Sequence, residues 1–192
     1  MMARKVFLDT DFLCSFLWIG KTNYLAKVLP GYEVIVPFQT ASEIKRPLKG
    51  LIPLQAKYHA AKSNGDFIEA DDFDTGSSEY KDYLCLTHGL GYPKAIGSGE
   101  AAGIVLAKKH QGVLASNNLR DIADLVDRFG IALITTCDIL LALYDQCFLN
   151  EKELSKVFSD MLMQGRQLPY PTFAALLQAR EDGTFIQRPI PE

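Results

Sequence analysis

Short runs rich in β-branched and aromatic residues alternate along this chain with segments of helical period, and no feature constrains its fold more. That alternation is the pattern of a parallel sheet with crossover helices, so the fold class is α/β. Lys5-Val6-Phe7-Leu8, Glu33-Val34-Ile35-Val36, Val113-Leu114-Ala115 and Ile131-Ala132-Leu133-Ile134 read as strands, with a weaker one over 66–70. Phe12 to Ile19 is apolar almost all round and predicts a buried helix. Further helices are predicted near Gln39-Thr40 up to Pro47, over 51–63, from Ser77, from an N-cap at Ser98 to about Gln111, and over 122–129, where Gly130 closes the last. The remainder reads as helical. Asn150 with Glu153 forms an N-cap pair ahead of the stripe Leu154, Val157, Phe158, Met161 and Leu162, and a last helix runs from Thr172 to Arg180 before a loose tail at Pro189-Ile190-Pro191. The chain therefore divides into an α/β unit over 1–148 and a helical extension over 149–192 packed on the same domain.

A length of 192 residues with 48% hydrophobic residues is enough to bury about 70% of the extended chain's surface, so a sizeable core is expected. Twenty Lys and Arg against 23 Asp and Glu give a net charge of −3, which excludes a polybasic nucleic-acid coat or membrane binder but not a nuclease, whose site needs acids. No apolar run has the length of a membrane span, and Met1-Met2-Ala3-Arg4-Lys5 leads into a strand rather than a signal-peptide core, so a cytoplasmic location is expected. Cys14, Cys85, Cys137 and Cys147 and the three histidines are dispersed, with no spacing for zinc or a disulfide set.

In an open parallel sheet, function is expected at the carboxyl ends of the strands. Asp9 directly follows the first strand, Glu43 lies in the opening turns of the helix after the second, Glu100 is in the first turn of the helix begun by Ser98, and Asp121 lies just beyond the fourth strand. Glu100 and Asp121 also suit helix starts electrostatically. Asp9 is harder to explain structurally, because a carboxylate abutting Val6-Phe7-Leu8 is costly to bury unless paired or metal-bound. Carboxylates gathered at one edge call for a hard divalent cation, Mg2+ or Mn2+, and such a site suits phosphodiester hydrolysis by metal-activated water. Thr10, Ser116 and Asn118 are placed either to orient those carboxylates or a bound water, or simply to form turns and caps.

Val6-Phe7-Leu8-Asp9-Thr10-Asp11, Thr40-Ala41-Ser42-Glu43, Gly99-Glu100-Ala101-Ala102 and Ser116-Asn117-Asn118-Leu119-Arg120-Asp121 together resemble the PIN-domain ribonucleases, which include the toxin halves of VapBC toxin–antitoxin pairs. The resemblance spans roughly residues 4 to 135. It implies a three-layer sandwich around a five-stranded parallel sheet and a Mg2+- or Mn2+-dependent cut of single-stranded RNA. It assigns Asp9, Glu43, Glu100 and Asp121 as metal-binding and catalytic acids, with Ser116 and Asn118 supporting the fourth. An antitoxin protein and a second copy of the chain are the protein partners it implies. Asp11 stands where many members carry Asn or Ser, and Asp138 after the fifth strand is a reserve acid or the cap of the next helix. The material around 66–95 and after 150 exceeds a compact toxin.

Two other classes stay open. Gly97-Ser98-Gly99-Glu100-Ala101-Ala102-Gly103 resembles a dinucleotide loop, although its G-x-G-x-x-x-G spacing and Glu100 oppose phosphate there. A non-catalytic PIN-like protein would use the same edge, or the late helices, only for partner contact. Lys21, Lys45, Arg46, Lys49, Lys94 and Arg120 are the cations placed near the edge or its loops to meet RNA phosphates.

Overall fold

The computed structural model describes residues 4–190. Five strands, β1 (Arg4–Leu8), β2 (Tyr32–Val36), β3 (Ile68–Glu69), β4 (Val113–Ala115) and β5 (Ala132–Ile134), form one sheet in the order β3-β2-β1-β4-β5 with every pair parallel. Ten α-helices connect or follow them: α1 (Thr10–Ile19), α2 (Asn23–Val28), α3 (Phe38–Ile44), α4 (Ile52–Ser63), α5 (Ser78–His88), α6 (Ser98–His110), α7 (Leu119–Phe129), α8 (Thr136–Asp145), α9 (Glu151–Met163) and α10 (Phe173–Glu181). The order reverses direction at β1, so the crevice between β1 and β4 is the topological switch point, the place where such sheets bind ligands.

Alternation along each strand sorts the core into two layers. Val6, Leu8, Val34, Val36, Val113 and Ala115 face one side with α1, α4 and α8, while Phe7, Ile35 and Leu114 face the other with α6 and α7. Gly112 enters β4 where a Cβ would stand 2.6 Å from the Lys5 carbonyl oxygen, so only glycine allows β4 to approach β1 there. The stripe of α9 is core: Leu154, Val157, Phe158 and Met161 join the first layer, as do Phe173 and Leu176 of α10.

Several boundaries differ from the sequence reading. α1 starts at Thr10 because the Asp9 carboxylate accepts from the Phe12 N–H as its N-cap, a role that contiguous apolar residues do not reveal. α7 begins at Leu119, three residues ahead of its apolar stripe, and the short α2 has too mixed a sequence to stand out. Glu43 lies near the end of the seven-residue α3, not in its opening turns. The tail is not loose over 188–190: the Arg188 N–H donates to Asp138 at 2.8 Å and Ile190 packs on the first core layer. Pro191, Glu192 and residues 1–3, on which the tail and leader expectations partly fall, lie outside the described residues. Among the described residues, no helix is long and apolar enough to cross a membrane.

Candidate functional site

Asp9, at the end of central β1, is 1% exposed. One carboxylate oxygen accepts from Phe12 N at 2.7 Å, and the other accepts from the Ser116 hydroxyl across the β1–β4 crevice. Burial pushes its pKa up to about 7; the Ser116 and Phe12 hydrogen bonds oppose the rise, and the neighbouring Asp11 and Glu100 carboxylates add to it. A buried acid with two more acids within electrostatic reach is the arrangement a cation would relieve.

Hydroxyl and amide groups hold the remaining predicted acids. Thr10 donates to Glu43 Oε2 at 2.5 Å, and Glu43 Oε1 accepts from Ser98 Oγ at 2.5 Å and from Gly99 N at 3.2 Å. On the other side, Ser116 Oγ accepts from Asn118 N at 3.2 Å, and the Asn118 amide donates to Glu100 Oε1 at 2.5 Å and to Asp121 Oδ2 at 2.8 Å. Asp9, Glu100 and Asp121 thus belong to one hydrogen-bonded chain along the carboxyl edge, and Glu43 is held separately beside it by Thr10, Ser98 and Gly99. Asp121 is partly exposed; the Lys94 ammonium and then the Asn118 amide hold its carboxyl below the usual range. Among the described residues, no three Asp, Glu, His or Cys side chains form a ready-made metal cluster. The Asn118 amide sits between two of the carboxylates and Lys94 pairs with one, so binding a cation requires side-chain rotation. The donor set itself, oxygen-only with excess negative charge, fits a hard divalent ion.

Gly99 lets α6 come this close. A Cβ there would stand 2.6 Å from Thr10 Oγ1, 3.1 Å from Thr40 Oγ1 and 3.4 Å from Glu43 Oε2. Gly99→Ala adds helix propensity and would stabilise an exposed helix by about 1 kcal/mol. Here it forces the Thr10–Glu43 pair apart, so we expect a net loss of about 1–3 kcal/mol, read as a lower thermal midpoint.

The glycine segment is not a phosphate cradle. Loop residues rather than a strand precede Gly97, Glu100 Oε2 accepts from Gly97 N at 3.1 Å, and Glu43 takes the Gly99 N–H, so carboxylates occupy the donors a pyrophosphate would need. Asp138 is fully buried and caps α8, accepting from Thr135 N at 2.8 Å and Thr135 Oγ1 at 2.6 Å. That is the capping alternative for this residue. Asp11 is exposed and pairs with Arg166 at 3.2 Å. Of the predicted cations, Lys45 pairs with Glu69 and Lys94 with Asp121. Lys21 follows α1, which carries the chain about 15 Å back from the edge, away from the acids. Arg166 and Arg188 were not singled out by sequence reasoning; each lies more than 40 residues beyond Asp121, and no local motif marks either.

No family model matches the chain, and no curated protein matches it in sequence. Solved structures do. A PilT N-terminus (PIN) domain protein from the hyperthermophilic archaeon Sulfolobus solfataricus is 12% identical, with a TM-score of 0.45 over 73% of this chain and 94% of that one. VapBC-1 from nontypeable Haemophilus influenzae is 16% identical, with a TM-score of 0.48 over 68% of this chain and 97% of that one. The chain resembles both in fold. In each comparison about a quarter to a third of this chain lies outside the matched region.

Proposed function

We propose that this chain is a PIN-like endoribonuclease that hydrolyses phosphodiester bonds of single-stranded RNA with Mg2+ or Mn2+. The α/β unit over 1–148 carries the site and residues 149–192 form an extension on it. The observation that supports this most is the buried Asp9 carboxylate at the switch point, with Asp11 and Glu100 near enough to disfavour its charge. Asp9, Glu100 and Asp121 would hold the cation, with Glu43 joining directly or through water. When bound, the cation supplies positive charge for polarising the attacking water and the phosphodiester. The chain's own groups set the geometry. Ser116 fixes the Asp9 carboxylate, the Asn118 amide spaces Glu100 from Asp121, and Thr10 and Ser98 hold Glu43. A small antitoxin protein and a second copy of the chain are the protein partners to seek within this reading.

The test is cleavage of a single-stranded RNA by the full chain. Cutting is expected with Mn2+ or Mg2+ and none with excess chelator, and Glu100→Gln should lower the rate at least about 100-fold with an unchanged far-ultraviolet spectrum. Full activity in chelator sinks the reading.

A further inference from the structure

A cavity of about 700 Å³ opens between the carboxyl edge and the segment 165–188, a volume typical of ligand sites. Three arginines line it: Arg120 from the first turn of α7, Arg166 from the turn after α9, and Arg188 from the tail. Against the lining acids Asp11 and Glu100 they leave +1, with Arg188 also 3.5 Å from the buried Asp138 carboxylate behind the lining. Arg166 reaches Asp11 through Nη1 at 3.2 Å, while its Nε is buried without a hydrogen-bond partner. The Arg166 side chain as a whole remains 22% exposed. Leu168 and Phe185 give the same wall an apolar surface of the kind on which bases stack. Glu100 belongs both to this lining and to the acid chain of the candidate site, so the cavity adjoins the site at Glu100.

We propose that this groove, walled by residues of the C-terminal extension, binds the RNA strand on one side of the scissile bond, with Arg120, Arg166 and Arg188 contacting phosphates and Phe185 and Leu168 contacting a base. The proposal rests on the ribonuclease reading and extends it: the extension becomes part of the substrate site. The arginines act in binding, not in the bond-breaking step. Fixed guanidinium forks suit phosphate oxygens, and every base has a face for stacking, so the groove selects single strands without reading sequence.

The experiment is a fluorescence-anisotropy titration of a labelled single-stranded oligoribonucleotide with the full chain in chelator, repeated from 50 to 200 mM KCl (about the range over which phosphate contacts are resolved). Arg120→Gln, Arg166→Gln and Arg188→Gln should each weaken binding about tenfold and make the log K against log salt slope shallower by about 0.7. Arg166→Lys should restore the slope, because the charge returns even though the hydrogen bond to Asp11 is altered. A purely structural role for Arg166 would lower the thermal midpoint without moving the slope. Lys152→Gln, the same charge change in the first turn of α9 and about 16 Å along that helix from the end that leads to Arg166, should leave both unchanged. Unchanged slopes in the three arginine variants, or no binding by the wild-type chain, overturn the groove. Cleavage in Mn2+ is scored in parallel: a chain that cuts with unchanged slopes loses the groove and keeps the nuclease, while one that never cuts yet shows the slope changes keeps the groove and loses the nuclease.

Discussion

Asp9→Asn is expected to make the metal-free protein more stable at neutral pH while abolishing RNA cleavage. Asn keeps the shape, can still accept from Phe12 N through its carbonyl oxygen and can turn its amide toward Ser116, so packing at the crevice survives. What disappears is a charge that burial penalises. The folded-state pKa of Asp9 is about 7 against an ordinary value of 3.8, so between those values the folded chain binds more protons than the unfolded one. Stability of the wild type therefore falls as pH rises from about 4 through 7 and levels off above. The variant lacks this loss. Its advantage should be near zero at pH 4 and grow to about 4 kcal/mol above pH 8, an upper figure that corresponds to roughly 8–16 °C in thermal midpoint for a chain of this size. Mn2+ should raise the midpoint of the wild type and leave the variant unmoved, because only a ligand of the native state stabilises it. Equal midpoints at pH 8 would show that Asp9 carries no such penalty. A variant that still cuts RNA would remove Asp9 from the chemistry.

The second large effect is expected at Asp138. Its carboxylate is fully buried and accepts from Thr135 N, Thr135 Oγ1 and Arg188 N, with Arg188 Nη1 at 3.5 Å. Asp138→Ala removes the N3 half of the capping box of α8 and strands buried donors together, a loss of about 3 kcal/mol or roughly 6–12 °C. Because Arg188 hangs from this carboxylate and lines the groove, the variant should also bind single-stranded RNA more weakly than its loss of stability explains, while Asp138→Asn, which keeps an acceptor, recovers part of both. The checks are a thermal melt and the same anisotropy titration at a temperature where both chains are folded. A midpoint within a degree of wild type would mean that the tail is held by other contacts, such as Arg180 on Asp145 at 2.8 Å and Gln187 on the same carboxylate at 3.2 Å.

Much of the fold was legible because period and sheet geometry leave few choices. Val6-Phe7-Leu8 and Val34-Ile35-Val36 are continuous apolar runs, as strands covered on both faces must be, and the helical segments between them force parallel crossovers. The edge at which Asp9, Glu43, Glu100 and Asp121 lie was legible because a parallel sheet sends every strand-end loop to one edge. Boundaries were less so. The start of α1 was hidden because Asp9 serves as its N-cap while lying at the expected metal edge, and one sequence position cannot announce two roles.

By itself, then, the sequence determined the α/β class, the strands, the stripe of α9 as an apolar face, and which carboxylates arrive at the carboxyl edge, since these follow from local periodicity and from the one-way sense of a parallel sheet. Only the tertiary structure decided which partners hold those acids: Ser116 on Asp9, the Asn118 amide between Glu100 and Asp121, Lys94 on Asp121, and Glu43 within reach of Thr10 and Ser98 through the close approach at Gly99. It alone brought Arg166 and Arg188 beside Asp11 and Glu100. Contacts between residues as many as 155 positions apart depend on how the helices pack over the sheet, and hydrophobic periodicity sets which face a helix buries without setting which polar side chains its ends bring together.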